Sequence, residues 1–226
     1  MIVRIGLENG YCDRSIAWVL EFPGCFANGA EGSEAILKVP QELVAYQDWI
    51  AGHTQESWLD NLGNFDISLS EALEWKPGGS SPLNWFKHDA APLSPTDASR
   101  GALVLSWMRA DLLDFVSTLA PSHLDQTFEG EHRSIRGILG HIANAEWWYL
   151  DRLGLAGVEK SALPADEFER LRQVRERTLA VLPELAGRPE VINMDDENWS
   201  ARKILRRAAW HEKDHIQHIL RLMTKL

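Results

Sequence analysis

The sequence predicts an α+β chain in which a small sheet-and-helix module precedes a four-helix bundle. Three observations predict it. Short apolar runs separated by turn residues fill the first 75 or so positions, a Pro/Gly/Ser-rich stretch follows, and four long segments of helical periodicity occupy the rest. The expected divisions are a module over residues 1–76, a linker over 77–94 and a bundle over 95–226.

In the first module, Ile2, Val3, Ile5 and Leu7 predict a strand, and Glu8-Asn9-Gly10 a turn. Residues 16–22 (Ile-Ala-Trp-Val-Leu-Glu-Phe) predict a second strand stopped by Pro23-Gly24, and residues 25–28 a short third one. From Glu34 to Ile50 the spacing of Ile36, Leu43, Tyr46 and Ile50 is helical, with Pro40 expected to kink or restart the helix. Residues 65–75 supply one more strand. The linker is marked by Pro77-Gly78-Gly79-Ser80-Ser81-Pro82 and by Ala91-Pro92-Leu93-Ser94-Pro95.

Everything after the linker reads as helix. The first bundle helix starts near Pro95-Thr96-Asp97, carries Leu103, Trp107, Leu112, Phe115 and Leu119, and stops at Pro121. The second opens at Ser134 and runs past Leu153 to Gly154. The third starts around Pro164-Ala165-Asp166, carries Phe168, Leu171, Val174 and Val181, and stops at Pro183. The fourth opens near Asn198-Trp199-Ser200 and continues to the end. Four helices of this length with modest connections form a bundle. The arginines of the third helix (Arg170, Arg172, Arg175, Arg177) are interleaved with acids and read as a solvated face.

Composition excludes several classes. Apolar residues make up 45% and charged residues 25% of 226 positions, ordinary for a globular protein. No apolar run approaches the ~18 residues of a membrane span, and the N-terminus lacks the basic start and cleavage site of a secreted precursor. No membrane association and a cytoplasmic location are therefore expected. Cys12 and Cys25 form neither a C-x-x-C pair nor a disulfide framework. The net charge is −10, and residues 1–90 hold five Lys/Arg against thirteen Asp/Glu. Such a surface repels phosphate backbones, so no nucleic-acid partner is expected.

The order strand, strand, Glu21-Phe22-Pro23-Gly24-Cys25-Phe26, acidic turn, helix resembles the HicB-like antitoxin fold over roughly residues 1–75. Typical HicB antitoxins carry a DNA-binding segment after this fold, and here the helical module takes that place. The resemblance implies a protein partner through the N-terminal module. The plainer reading is a small module that packs on its neighbour or mediates a homodimer.

The last helix contains Trp210-His211-Glu212-Lys213-Asp214-His215-Ile216-Gln217-His218. At about 3.6 residues per turn, His211 and His215 stack one turn apart on one face. A helical projection places His211, His215 and His218 at one edge of the apolar arc. His141 lies at the corresponding edge of the second bundle helix, with Ala145 and Trp148 on its stripe. Single seam histidines are commonly hydrogen-bonded core residues. Several converging on one seam favour neutral imidazoles on a divalent ion, because burying them as cations is costly.

The segment Leu139-Gly140-His141-Ile142-Ala143, with Glu146-Trp147 five residues on, is similar to the second helix of DinB-like proteins. Residues 199–219 resemble the last helix of that family, where H-E-x-x-H precedes a short polar stretch. The resemblance spans about residues 95–226 and implies three ligands, His141, His211 and His215, for one divalent metal ion, zinc or nickel. Where this chain has Asp214 and Ile216-Gln217-His218, the family often has His and Arg-Gly-Gln. The resemblance further implies a thiol-dependent transferase that uses a low-molecular-weight thiol and acts on a small-molecule substrate. A metal-dependent hydrolase and a non-catalytic metal-stabilised scaffold remain as alternatives.

His211-Glu212-Lys213-Asp214-His215 also spells the H-E-x-x-H of zinc peptidases. Those enzymes take a third ligand downstream, and the eleven residues after His215 hold no Glu or Asp, while His218 comes too soon. Glu212 projects toward the middle of the apolar arc, which favours a buried hydrogen bond or ion pair. Glu146 also falls on an apolar face and either supports a ligand or, more plainly, pairs with a bundle arginine. Asn144 is placed to reach the histidine face and orient a bound water or thiol. Trp148 is a candidate wall of the pocket.

Overall fold

A computed structural model describes residues 2–11, 13–59, 64–75 and 85–226. The architecture is α+β, with an N-terminal sheet and a helical C-terminal region. The chain divides into two compact units, residues 1–91 with 193–198 and residues 92–192 with 199–226. Much of the expected linker, residues 77–84, lies outside the described residues. No helix among the described residues is long and apolar enough to cross a membrane.

In the first unit β1 (Ile2–Tyr11), β2 (Arg14–Val19), β3 (Phe26–Gly29) and β4 (Asp66–Glu74) form one sheet in the order β3-β2-β1-β4. β1 pairs antiparallel with β2 and parallel with β4. The turn expected at Glu8-Asn9-Gly10 is absent. β1 continues to Tyr11, and the positive φ of Gly10 is absorbed by a register shift against β2. Helix α1 (Gly32–His53) packs on β1, β2 and β3 and buries Ala35, Val39, Leu43, Tyr46 and Ile50, a helical stripe. It runs unbroken through Pro40. That residue is solvent-exposed, so the backbone carbonyl that loses its N–H partner can turn to water.

The second expected strand is shorter than residues 16–22 because the chain turns at residues 20–24. There Cys25 N–H donates to the Phe22 carbonyl (2.8 Å), and Tyr46 of α1 donates its hydroxyl to the Pro23 carbonyl (3.0 Å). Gly6 of β1 is required by packing. A Cβ there would stand 2.7 Å from the buried ring of Phe86. Cys12 lies outside the described residues, and Cys25 is buried, its Sγ 3.8 Å from the Glu42 carbonyl oxygen of α1.

The second unit holds α2 (Pro95–Ser117), short α3 (Pro121–Asp125), α4 (Ile135–Asp151), α5 (Glu167–Val181) and α6 (Ala201–Met223). Each of the four long helices is capped by a side-chain oxygen accepting the backbone N–H three residues on: Ser94 from Asp97, Ser134 from Gly137, Asp166 from Glu169, Ser200 from Lys203. Two expectations for this region are corrected. Pro121 opens α3 as its first residue, where a missing N–H costs nothing, and does not merely end α2. The segment before α6 is a hairpin of β5 (Ile192–Met194) and β6 (Glu197–Trp199), turned by Asp195 and Asp196, both at positive φ.

Side-chain contacts give the helix directions. Gly101 and Arg109 of α2 lie against Leu205 and Glu212 of α6, so those two run parallel. Gly140 and Glu146 of α4 lie against Glu167 and Arg175 of α5, again parallel. His141 and Tyr149 of α4 lie against His215 and His211 of α6, so this pair is antiparallel. Leu112, Val116, Leu139, Ile142, Leu171, Ile219 and Leu222 are buried together between the helices.

Candidate metal centre

The antiparallel register of α4 and α6 brings His141 opposite the His211/His215 pair. The Nε2 atom of His211 lies 3.2 Å from that of His141 and 3.2 Å from that of His215. The ligating atoms of all three lie within 4.8 Å of one another, the one cluster of three or more such groups among the described residues. Two nitrogens held about 2.0–2.1 Å from a common ion at a tetrahedral angle stand about 3.3–3.4 Å apart, so the spacing fits a zinc-sized divalent ion. The donor chemistry fits as well. Three converging Nε2 atoms cannot all satisfy one another, since a neutral imidazole nitrogen either donates or accepts. A shared cation satisfies all three lone pairs.

The site favours neutral rings. Burial, followed by the neighbouring His215, His141, Arg207 and Arg133, pushes the His211 imidazole down to about 2. Burial and His141 lower His215 to about 4, against an opposite pull from Asp214. Burial and then Arg133 lower His141. Each shift favours the neutral imidazole, the state a ligand needs.

His218 does not join the cluster. Its Nε2 lies 2.9 Å from the Glu131 carboxylate in the connection before α4. Asn144 is turned toward α5, where its carbonyl oxygen accepts a hydrogen bond from Arg170 (3.1 Å). Trp148 is 37% exposed, stacked edge-on against Trp199 with Arg152 over its ring. The aromatic rings beside His211 are Trp210 of its own helix and Tyr149 of α4, with centroids 6.0 and 6.2 Å away.

Glu146 and Glu212 are both buried and both bound by the same two arginines. Arg109 of α2 donates through Nε to Glu212 (2.6 Å) and through Nη2 to Glu146 (2.8 Å). Arg175 of α5 donates to Glu146 through Nε (2.7 Å) and Nη2 (3.0 Å), and through Nη2 to Glu212. Each arginine also reaches a backbone carbonyl of the other's helix, Arg109 that of Leu171 and Arg175 that of Leu105. Burial pushes the Glu146 carboxyl up, but Arg175 and Arg109 more than reverse this and hold it at about 2. Arg175 was expected on a solvated face and is instead buried. The signal lay in its spacing, because Leu171, Val174, Arg175 and Thr178 form one helical stripe. Arg109 sits likewise among Leu105, Met108 and Leu112.

Residues 105–219, half of the chain, match a family model described as the DinB superfamily. The match includes the three histidines and all four members of the buried charge cluster. No curated protein and no solved structure gives a significant match.

Proposed function

We propose that this chain, which belongs to the DinB superfamily, holds one divalent ion, zinc or nickel, on His141, His211 and His215 and works as a metal-dependent thiol transferase on a small electrophile. The convergence of three neutral Nε2 atoms carries this reading. Three protein ligands leave coordination positions for an exogenous group, the layout of a catalytic site. When bound, the ion lowers the pKa of a coordinated thiol or water and so supplies a nucleophile near neutral pH.

The side chains favour a thiol over water. Glu212 holds the general-base place of an H-E-x-x-H motif, yet both of its oxygens accept from Arg109 and Arg175. It is 1% exposed and cannot take a proton from water at the histidines. A thiol loses its proton far more readily than water and needs no such base. The hydrolase alternative would have to find its base elsewhere.

Cobalt-substituted protein tests the reading. Adding glutathione, bacillithiol or mycothiol is expected to produce a thiolate-to-metal charge-transfer band that is lost in His211→Ala. A spectrum unchanged by all three thiols removes the transferase, leaving a hydrolase or a metal-stabilised scaffold.

For the rest of the chain we read residues 95–226 as a DinB-like four-helix bundle. Residues 1–76 are read as a HicB-like module that serves a protein partner or a homodimer, in a cytoplasmic protein. The Glu21-Phe22-Pro23-Gly24-Cys25-Phe26 turn seated on α1 and the acidity of this region support the second reading and argue against a nucleic-acid partner.

A further inference from the structure

Arg109, Glu146, Arg175 and Glu212 bind no ion and move no proton in the chemistry proposed above, and burying them is expensive. Apolar side chains of similar volume commonly hold a core at least as well as buried ion pairs do. The cluster therefore needs a role that apolar packing cannot fill.

That role is directional. One residue comes from each of the four long helices: Arg109 from α2, Glu146 from α4, Arg175 from α5, Glu212 from α6. Each carboxylate is gripped by both guanidinium groups. The two bonds to the Leu171 and Leu105 carbonyls tie α2 and α5 to each other's backbones. Rotation and axial position of all four helices are thus fixed at one level of the unit.

The proposed ligands sit close to that level. His211 directly precedes Glu212, His215 follows it by three residues, and His141 stands five residues before Glu146. Sliding α6 by one residue would move it about 1.5 Å and turn it about 100°, carrying both histidines off the seam. Leucine and isoleucine contacts tolerate small slips that fixed guanidinium–carboxylate forks do not.

We infer that Arg109 and Arg175 are positioning residues of the metal site, acting through Glu212 on His211 and His215 and through Glu146 on His141. The inference rests on the three-histidine reading, and its test separates the two.

Cobalt is titrated into chelator-treated wild type, into the apolar quadruple variant Arg109→Met/Glu146→Leu/Arg175→Met/Glu212→Leu, and into Arg175→Lys. The quadruple variant is expected to keep its helical circular dichroism and its unfolding temperature. Its cobalt affinity is expected to fall about tenfold or more, with altered visible bands, the scale of losing a group that orients a ligand. If the quadruple variant does not fold, Arg175→Lys decides. Lysine keeps the charge but cannot bridge two carboxylates and a carbonyl, so the same loss of affinity is expected with helicity retained. A folded variant with wild-type affinity and spectrum overturns the positioning role alone. Absence of cobalt binding by wild type overturns the three-histidine reading and this inference with it.

Discussion

Replacing Glu212 with alanine is expected to cost the helical unit about 3–5 kcal/mol, the usual penalty for breaking one partner out of a buried ion cluster. The carboxylate is 1% exposed and accepts from Arg109 at 2.6 Å and from Arg175 as well. Its removal leaves two buried guanidinium groups sharing Glu146 alone. Glu146→Ala is expected to be comparably severe. The double variant should fall short of the sum, because both changes strip the same two arginines. Arg172→Ala serves as the comparison. Arg172 bridges Glu169 and Glu176 on the outer face of α5, exposed to solvent, and its loss is expected to leave stability unchanged.

Urea unfolding followed by circular dichroism reads all four variants. Equal midpoints for Glu212→Ala and Arg172→Ala would mean that the cluster does not hold the helices. The same cluster sets an acid limit. The Glu146 carboxyl titrates at about 2 in the folded chain against an ordinary 4.5. Its contribution is fully present above pH 4.5 and is lost as pH falls from there toward 2.

His211→Ala is expected to have the largest effect on metal binding. His211 Nε2 stands 3.2 Å from both other ring nitrogens, the central member of the three. Losing it removes a ligand outright and leaves two imidazoles on different helices. The expected loss of affinity exceeds the roughly 10–100-fold that a supporting partner of a ligand is worth. His141→Ala and His215→Ala should also reduce occupancy strongly. His218→Ala should not, since that ring is engaged by Glu131 at 2.9 Å. Calorimetric titration of zinc into chelator-treated protein measures all four. Unchanged affinity in His211→Ala, or a loss in His218→Ala equal to that in His215→Ala, would contradict the assignment.

Much of this arrangement is local and therefore legible. The caps at Ser94, Ser134, Asp166 and Ser200 are sequence features read directly by the backbone, so the four long helices start where their residues say. The seam position of His141, His211 and His215 follows from helical periodicity alone. The same projection turned Glu212 inward, and it is indeed buried. What was hidden depends on partners distant in the chain. Arg175 carries the same charge as Arg172; its place on the stripe of Leu171, Val174 and Thr178 sets it apart, but its partners Glu146 and Glu212 lie on other helices, distant in the chain.

The β5–β6 hairpin escaped because its turn is Asp195-Asp196, which reaches positive φ without the usual Asn-Gly or Asp-Gly signature. Asn9-Gly10 misled in the opposite sense. A sequence that commonly makes a hairpin turn is here a shift within a continuing strand. Tyr149 beside His211 and Glu131 on His218 likewise required the register of α4 on α6 and the path of the preceding connection.

The function proposed for this chain depends on three imidazole nitrogens holding one divalent ion. X-ray absorption at the metal edge, with elemental analysis of the same purified wild-type sample, tests it most directly. About one zinc or nickel per chain is expected, with three imidazole nitrogens at about 2.0–2.1 Å and the remaining positions filled by oxygen or sulfur. A first shell built from carboxylate oxygens, or full metal content retained after His141, His211 and His215 are all replaced by alanine, would contradict it.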